Sequence, residues 1–285
     1  MRWAGTRRGL RRSTTQAFAA FGVVALLLQS YQAVWDKPAF PGHAPLVTAV
    51  VAIGSIAFGL LRARPGGSVH RDLRQPDCRI TIAPGDLFDQ QDAHLVIGFT
   101  DVFDTDCTDD RIINRSSVQA QFLHHIYQDD RDQLDRDLDA ALAGVPGVVA
   151  IPRAEKPHGK RRRFPAGTVA VLGTPARSYF CLAYSSMTAD LVARSSGDVL
   201  WHSLSRLWPQ VSGRGQRGTT AMPVVGAALA RVDTLDRGGL LRLILLSFVA
   251  ASRVEMVSRE LRIMVPREQF EELDRLELQA FLDSL

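Results

Sequence analysis

Residues 80–105 read ITIAPGDLFDQQDAHLVIGFTDVFDT and contain two short apolar runs, each followed by a turn that carries Gly and Asp. The first run leads into Pro84-Gly85-Asp86 and the second into Gly98-Phe99-Thr100-Asp101. Short apolar runs bounded by turn residues are typical of buried strands. The stretch therefore predicts two core strands, over residues 79–83 and 93–99, with polar turns at their ends.

Strands and helices alternate from this stretch to the end of the chain. Further strands are predicted over residues 148–151, 168–172, 179–184, 218–225 and 261–265, and helices over residues 116–127, 130–143, 188–211, 239–252 and 268–282. This alternation predicts an α/β domain over residues 77–285, with three layers in which helices cover both faces of a largely parallel sheet. Ligands of such sheets bind outside the carboxyl ends of the strands.

Composition restricts the function further. Apolar residues make up 46% of the 285 positions and charged residues 22%, which is normal for a chain that buries a core. The net charge is +4, but the one basic run of the domain, residues 160–163, is not interleaved with aromatic residues, so a nucleic-acid partner is not expected. Cys78, Cys107 and Cys181 are odd in number and widely spaced, which argues against disulfides and a zinc site and predicts no metal.

The first 76 residues have a different composition. A basic segment, residues 1–13, precedes two uncharged runs, residues 14–35 and 46–61, and a linker rich in Gly, Pro and Arg follows over residues 62–76. A membrane-spanning helix needs about 20 mostly apolar residues. Because arginines flank both runs on the outer sides, the pattern predicts a transmembrane hairpin with both termini in the cytoplasm and residues 36–45 outside. The alternative is a cleaved signal peptide that contains Arg11-Arg12, but the second apolar run and the missing cleavage site favour the hairpin.

The residues that follow the predicted strands form a candidate ligand site. A Gly-Ala-Ala turn lets backbone N–H groups approach phosphate oxygens, although helix packing explains such a turn equally well. Asp101, Asp104 and Thr105 either cap the loop before the next helix or bind the ligand, and Phe99 and Phe103 fit packing better than stacking on a base. The candidate ligand-binding residues are Asp86, Leu87, Gly98, Asp101, Phe103, Asp104, Thr105, Ser186, Pro223, Val225, Gly226, Ala227, Ala228 and Leu229.

Other motifs in the sequence indicate no specific function. Residues 156–163, KPHGKRRR, are expected to form a solvated loop, with contacts to anionic headgroups or a diphosphate as alternatives. Residues 213–218, GRGQRG, precede a strand instead of joining a strand to a helix, so they are not a dinucleotide fingerprint. Spacing alone assembles no catalytic triad, and no catalytic residue is predicted.

The turns after the strands resemble those of macro domains, the α/β modules that bind ADP-ribose, over residues 78–265. The resemblance rests on Gly85-Asp86-Leu87, whose Asp contacts the adenine amino group in that family, and on residues 226–230, GAALA, which stand where macro domains bind the pyrophosphate. Macro domains that remove ADP-ribose from proteins usually carry an Asn-rich loop after the second strand. Here that loop reads IGFTDVFDT, residues 97–105, which favours binding over hydrolysis.

The complete order of two apolar runs, linker and macro-like domain resembles the membrane-anchored macro effectors of bacterial Thoeris antiphage defence. That resemblance implies a non-enzymatic, multi-pass protein of the bacterial inner membrane with no cofactor. Its ligand would be histidine–ADP-ribose, or a related conjugate, made by a partner TIR-domain enzyme. Ligand binding would then trigger homo-oligomerisation and membrane disruption. A membrane-anchored ADP-ribosyl hydrolase and a binding module that the helices merely localise are the alternatives.

Overall fold

A computed structural model describes residues 7–35, 43–62, 67–227, 231–232 and 235–285. The chain divides into two compact units, one of Met1–Gly66 with Asp274–Glu277 and one of Gly67–Leu273 with Leu278–Leu285. The expected external loop over residues 36–45 and the end of the Gly-Ala-Ala-Leu-Ala turn lie mostly outside the described residues. Arg2 and Arg64, which support the predicted hairpin orientation, lie outside them as well.

The first unit contains two helices that pack against each other, α1 (Arg7–Trp35) and α2 (Ala44–Arg62). Within the residues described, α1 holds one stretch that is long and apolar enough to cross a membrane, Thr14–Tyr31, whereas the apolar stretch of α2, Pro45–Phe58, is shorter. Large apolar side chains on both helices are exposed, including Phe18, Leu27 and Ile53. The second predicted span is therefore too short to count as a membrane span by length alone.

The described strands of the second unit are β1 (Val69–Arg74), β2 (Asp77–Pro84), β3 (Ala93–Thr100), β4 (Val149–Ala150), β5 (Arg162–Arg163), β6 (Val169–Thr174), β7 (Arg177–Met187), β8 (Ala193–Ser195), β9 (Thr219–Pro223), β10 (Arg231–Val232) and β11 (Glu260–Val265). Nine of these strands form a mixed sheet in the order β1-β2-β11-β9-β3-β7-β8-β10, with β6 beside the first half of β7. Strands β2, β11, β9, β3 and β7 run parallel, while β1 and β6 pair antiparallel with their neighbours. A separate short pair joins β4 and β5.

Helices cover both faces of this sheet, as the sequence predicts. The remaining helices are α3 (Val118–Tyr127), α4 (Arg131–Leu142), α5 (Gly197–Arg214), α6 (Arg237–Val254), α7 (Arg267–Glu272) and α8 (Arg275–Ser284). One buried cluster joins the sheet to α5, α6, α7 and α8 around Trp208 and Phe248, and a second joins it to α3 and α4 around Phe122 and Leu138. Successive residues of β3 divide between the two clusters, because side chains alternate along a strand. The prediction of an α/β fold with a central sheet is confirmed.

Three element predictions differ from the structure. Residues 69–74, placed in the linker, form β1, whose buried Val69 and Leu73 complete one edge of the core. The helix predicted from residue 188 begins at Gly197, because Ser196 caps it through the backbone N–H of Val199, and residues 193–195 pair with β7 as β8. The closing helix is interrupted at Leu273, whose backbone is extended, and so becomes α7 and α8.

Candidate functional site

A cleft of about 890 Å³ opens at the carboxyl ends of the parallel strands. Its floor is formed by the last residues of β3, β7 and β11 and by the turns that follow β2 and β9. Residues 110–121, which lead into α3, form part of its lining. The cleft therefore lies where ligands of parallel α/β sheets are expected.

The turn after β2 carries Asp86 to one end of the cleft. Gly85 has a φ of 153°, and a Cβ at this position would lie 2.9 Å from Met264 Cε, so both the backbone angle and the close packing favour glycine. Asp86 is exposed, and its Oδ1 accepts a hydrogen bond from the backbone N–H of Phe88 at 2.8 Å. This bond caps the turn, a common role of Asp, and fixes the carboxylate at the cleft.

The turn after β9 faces the middle of the cleft. Pro223, Val225, Gly226 and Ala227 line it, and Gly226 has a φ of 86°, a backbone conformation that favours glycine. Burial raises the pKa of Tyr184 to about 12, and a hydrogen bond from the backbone of Gly226 acts in the opposite direction. Tyr184 packs so closely over Gly98 that a Cβ there would lie 2.5 Å from Tyr184 Cε1. Glycine at position 98 thus makes room for an aromatic ring in the cleft floor.

The acidic loop after β3, residues 101–106, does not reach the cleft. Asp101 is buried, accepts a hydrogen bond from the backbone N–H of Met187 at 3.0 Å, and has Arg163 Nε 3.1 Å from its Oδ2. Thr105 is buried and donates from Oγ1 to Asp135 Oδ1 at 2.7 Å. The structure therefore gives these side chains partners within the protein, and the ligand contacts suggested for them stay a prediction.

Asp104 belongs to the same network and carries its most buried charge. Its Oδ2 lies 2.7 Å from Lys156 Nζ, and both side chains are only 1% exposed. The backbone N–H of Lys160 donates to Asp104 Oδ1, and Gln119 Nε2 donates to the Asp104 carbonyl. Burial raises the pKa of Asp104, and the Lys156 ammonium and the Lys160 N–H oppose that rise. Asp104 is thus a structural carboxylate behind the cleft.

Most of the segment over residues 156–163 is exposed, as in the solvated loop that the sequence predicts, but Lys156 is buried and further basic side chains form ion pairs. Lys156 is buried against Asp104, Lys160 Nζ lies 2.6 Å from Asp135 Oδ1, and Arg163 contacts Asp101. The acidic loop and the basic segment over residues 156–163 therefore bind each other; we call this contact the acid–base clasp. Its ion pairs, Asp104 with Lys156 and Asp101 with Arg163, join residues more than 50 positions apart in the sequence, and sequence spacing gives no sign of the pairing.

The predicted ligand residues divide into three groups. Phe103 packs in the core, stacked on Phe99 with ring centroids 5.5 Å apart, and Ser186 is exposed on β7 but does not line the cleft. Ala228 and Leu229 lie outside the described residues. The predicted residues that line the cleft are Asp86, Leu87, Gly98, Pro223, Val225, Gly226 and Ala227.

Sequence reasoning missed most of the wall formed by residues 110–121 and the residues after β11. Asp110, Arg111 and Arg267 bring charges to the cleft, and Asn114 and Gln119 bring amides. Ser117 caps α3 by accepting from the backbone N–H of Ala120 at 3.1 Å, and the pair Ser116-Ser117 before an apolar run was the available signal. The cleft thus carries both carboxylates and guanidinium groups, a set suited to a ligand with phosphate, sugar and base.

The described residues contain no group of His, Cys, Asp and Glu side chains that would hold a metal ion. The three cysteines are free, and burial raises the pKa of the Cys78 thiol to about 11. Backbone N–H groups, carboxylates and amides at strand ends suit ligand recognition by hydrogen bonds.

Comparisons with known proteins show what the second unit resembles. The family model of the macro domain of the Thoeris protein ThsA matches residues 80–266. Two mutant forms of the Oceanobacillus iheyensis macrodomain share its fold. One has a TM-score of 0.52 and 12% identity over 77% of this chain and 100% of that chain. The other has a TM-score of 0.51 and 10% identity over 78% and 97%. No curated protein matches the chain.

Proposed function

The chain belongs to the macro-domain family of the Thoeris protein ThsA, and we propose that its cleft binds an ADP-ribose-type nucleotide as a signal. The observation that carries this proposal is one continuous cleft along the strand ends, with Asp86 at one end and the Gly226 turn in its middle. Asp86 would accept a hydrogen bond from the adenine amino group. The Gly226 turn, where a φ of 86° favours glycine and the missing side chain lets the backbone approach closely, would lie against the pyrophosphate. Ala228 and Leu229 would extend this turn.

The remaining part of the cleft would hold the distal ribose and the group attached to it. Asp110 and Arg111 line the cleft, whereas Asp101 and Asp104 are engaged in the acid–base clasp. Asp110 Oδ1 also accepts from the backbone N–H of Arg115 at 2.6 Å, and we assign to this carboxylate the pairing with an ammonium or imidazolium group of the conjugate. Histidine–ADP-ribose is the conjugate that fits this assignment.

Sensing is favoured over hydrolysis by the loop after β3. Asparagine is missing from residues 97–105, and the carboxylates in this loop are buried with partners inside the protein. General acid–base catalysis needs a group within hydrogen-bond reach of the reacting atoms or of an attacking water. The two carboxylates of this loop lie outside the cleft, so the chain is proposed to bind its ligand without turning it over.

The first unit would supply the output. We place α1 in the bacterial inner membrane as the anchor, with the shorter α2 packed against it and residues 62–68 as the connection to a cytoplasmic domain. A TIR-domain enzyme would make the signal. Ligand binding would favour an assembled form that perturbs the bilayer, which requires tighter binding to the assembled form than to the single chain.

Calorimetry tests the proposal on the full chain in detergent. Histidine–ADP-ribose is expected to bind, and Asp86→Ala is expected to weaken binding about tenfold or more, since it removes a hydrogen bond to a charged group. Absence of heat and of a thermal shift with the wild-type chain would sink the proposal. Release of ADP-ribose from an ADP-ribosylated substrate would identify a hydrolase instead, and an intact membrane potential in ligand-loaded cells would leave only a localised binding module.

A further inference from the structure

Asp86 lies in the loop of residues 85–92. Side-chain hydrogen bonds through Gln90 connect the backbone of Asp86 to Arg262 on β11. Gln90 Nε2 donates to the Asp86 carbonyl at 3.4 Å, and Gln90 Oε1 accepts from Arg262 Nη1 at 3.3 Å. One amide group therefore connects the backbone that carries Asp86 to the guanidinium of Arg262.

The guanidinium of Arg262 is held in place by two carboxylates. Its Nη1 donates to Asp92 Oδ1 at 2.8 Å, and its Nη2 lies 2.9 Å from Glu260 Oε2. Glu260 is in turn fixed by Thr81, whose Oγ1 donates to Glu260 Oε1 at 2.8 Å. Because a guanidinium is planar and carries five donors, it can hold all three acceptors in one geometry. Arg262 therefore ties two points of the loop, Gln90 and Asp92, to the central sheet.

Other contacts keep the loop folded without Arg262. Arg177 Nη1 donates to Gln91 Oε1 at 2.6 Å, Leu87 and Phe88 are buried, and the Phe88 ring stacks on His125 with centroids 4.9 Å apart. Loss of Arg262 is thus expected to shift the Asp86 end of the loop and not to unfold it.

We propose that Arg262 is a positioning residue that sets Asp86 for recognition of the adenine amino group. The inference rests on the proposed binding of an ADP-ribose-type ligand. Arg262 does not line the cleft, so its effect passes through Gln90 to the backbone of Asp86. Hydrogen bonds weaken steeply when distance or angle departs from the optimum, and binding groups need support to within about 0.5 Å.

The experiment compares two ligands on the full chain in detergent by calorimetry. One is ADP-ribose, and the other is its purine counterpart, in which hydrogen replaces the 6-amino group. The wild-type chain is expected to prefer ADP-ribose about tenfold. Arg262→Gln is expected to reduce that preference to about twofold or less while the affinity for the purine counterpart stays within about twofold, because only the base contact is displaced.

Two further variants sharpen the test. Gln90→Met removes the amide relay and leaves the Arg262–Asp92 pair, and it is expected to lose the preference like Arg262→Gln; it decides the question if Arg262→Gln does not fold. Arg79→Gln is the matched control, since Arg79 Nε donates to Asp72 Oδ1 at 2.6 Å in a pair between β2 and β1. This control is expected to keep the wild-type preference.

The outcomes separate the two proposals. If the wild-type chain shows the preference and both Arg262→Gln and Gln90→Met keep it, the positioning role of Arg262 is overturned and the proposed function stands. If the two variants lose affinity for both ligands equally, the role is a general structural one and the inference is again overturned. If the wild-type chain binds neither ligand, the proposed function fails and the inference fails with it.

Discussion

His94 lies almost fully buried at the start of β3, where its ring connects two other elements. Its Nδ1 accepts from the backbone N–H of Ser178 at 3.0 Å, and the ring also bonds to the backbone of Gly215, which follows α5. Burial lowers the pKa of His94, and the bond to Gly215 opposes this. The folded chain therefore favours the neutral ring, which alone can accept at Nδ1 while donating at the other nitrogen.

This environment makes part of the stability depend on pH. Since the pKa of His94 is lower in the folded chain than the value of about 6.5 in unfolded chains, the unfolded state binds more protons. Stability from this group is complete above about pH 6.5 and declines as the pH falls below it. His94→Gln, which keeps one acceptor and one donor, is expected to lose less thermal stability between about pH 7.5 and 5.5 than the wild-type chain. Equal losses in both chains would contradict this prediction.

A second prediction concerns the close packing of Tyr184 over Gly98. Gly98→Ala places a methyl group 2.5 Å from Tyr184 Cε1, and the ring must move within the cleft floor. The variant is expected to lose about 1–3 kcal/mol of stability in thermal or denaturant unfolding, as overpacked sites do, and to bind ADP-ribose less tightly. Gly213→Ala in α5 is the control, because its Cβ would meet nothing within 4 Å. A Gly98→Ala chain as stable as this control would show that the ring has room to move.

The acid–base clasp joins two loops through a buried ion pair, Asp104 with Lys156. Lys156→Met leaves the Asp104 carboxylate buried without its ammonium partner, and the variant is expected to lose about 3–5 kcal/mol in denaturant unfolding. The double variant Asp104→Asn with Lys156→Met is expected to recover part of this loss, since Asn is neutral and keeps an acceptor for the Lys160 N–H. The single variant Asp104→Asn completes the comparison. If the double variant loses as much stability as the two single variants together, the pairing is contradicted.

The order of elements in the domain follows from the sequence because each core strand is a short apolar run between turn residues. The strands near residues 80 and 97 are present, and the turns at Asp86 and Gly226 line the cleft, because their position depends only on strand order. Pairing between distant segments was not predictable. Lys156 meets Asp104 only after the loops fold. β1 pairs with β2 across a two-residue turn, but only Val69 and Leu73 of its six residues are buried, so its sequence carries no alternating apolar pattern that would predict a strand.

The whole molecule combines the cleft at the strand ends with two helices that expose large apolar side chains. On α1 the exposed fractions are 76% for Phe18 and 65% for Leu27, and on α2 the exposed fraction is 68% for Ile53. Exposed apolar surface of this size is unfavourable in water and favourable in hydrocarbon. Lipid contact would account for these side chains, which supports the proposed anchor.

A single charge tests the anchor. Leu27 lies inside the stretch of α1 that is long enough to span, and Leu27→Arg would place a guanidinium there at a cost of about 2.5–3.5 kcal/mol in insertion. This variant is expected to shift from the carbonate-resistant membrane fraction to the wash or to aggregates, whereas Leu246→Arg, at an exposed position of α6, is expected to stay in the membrane. A tag after Leu285 should be inaccessible from outside intact cells. Wild-type chain that alkaline carbonate removes from membranes, or an N-terminus cleaved within α1, would replace the anchor by the signal-peptide alternative.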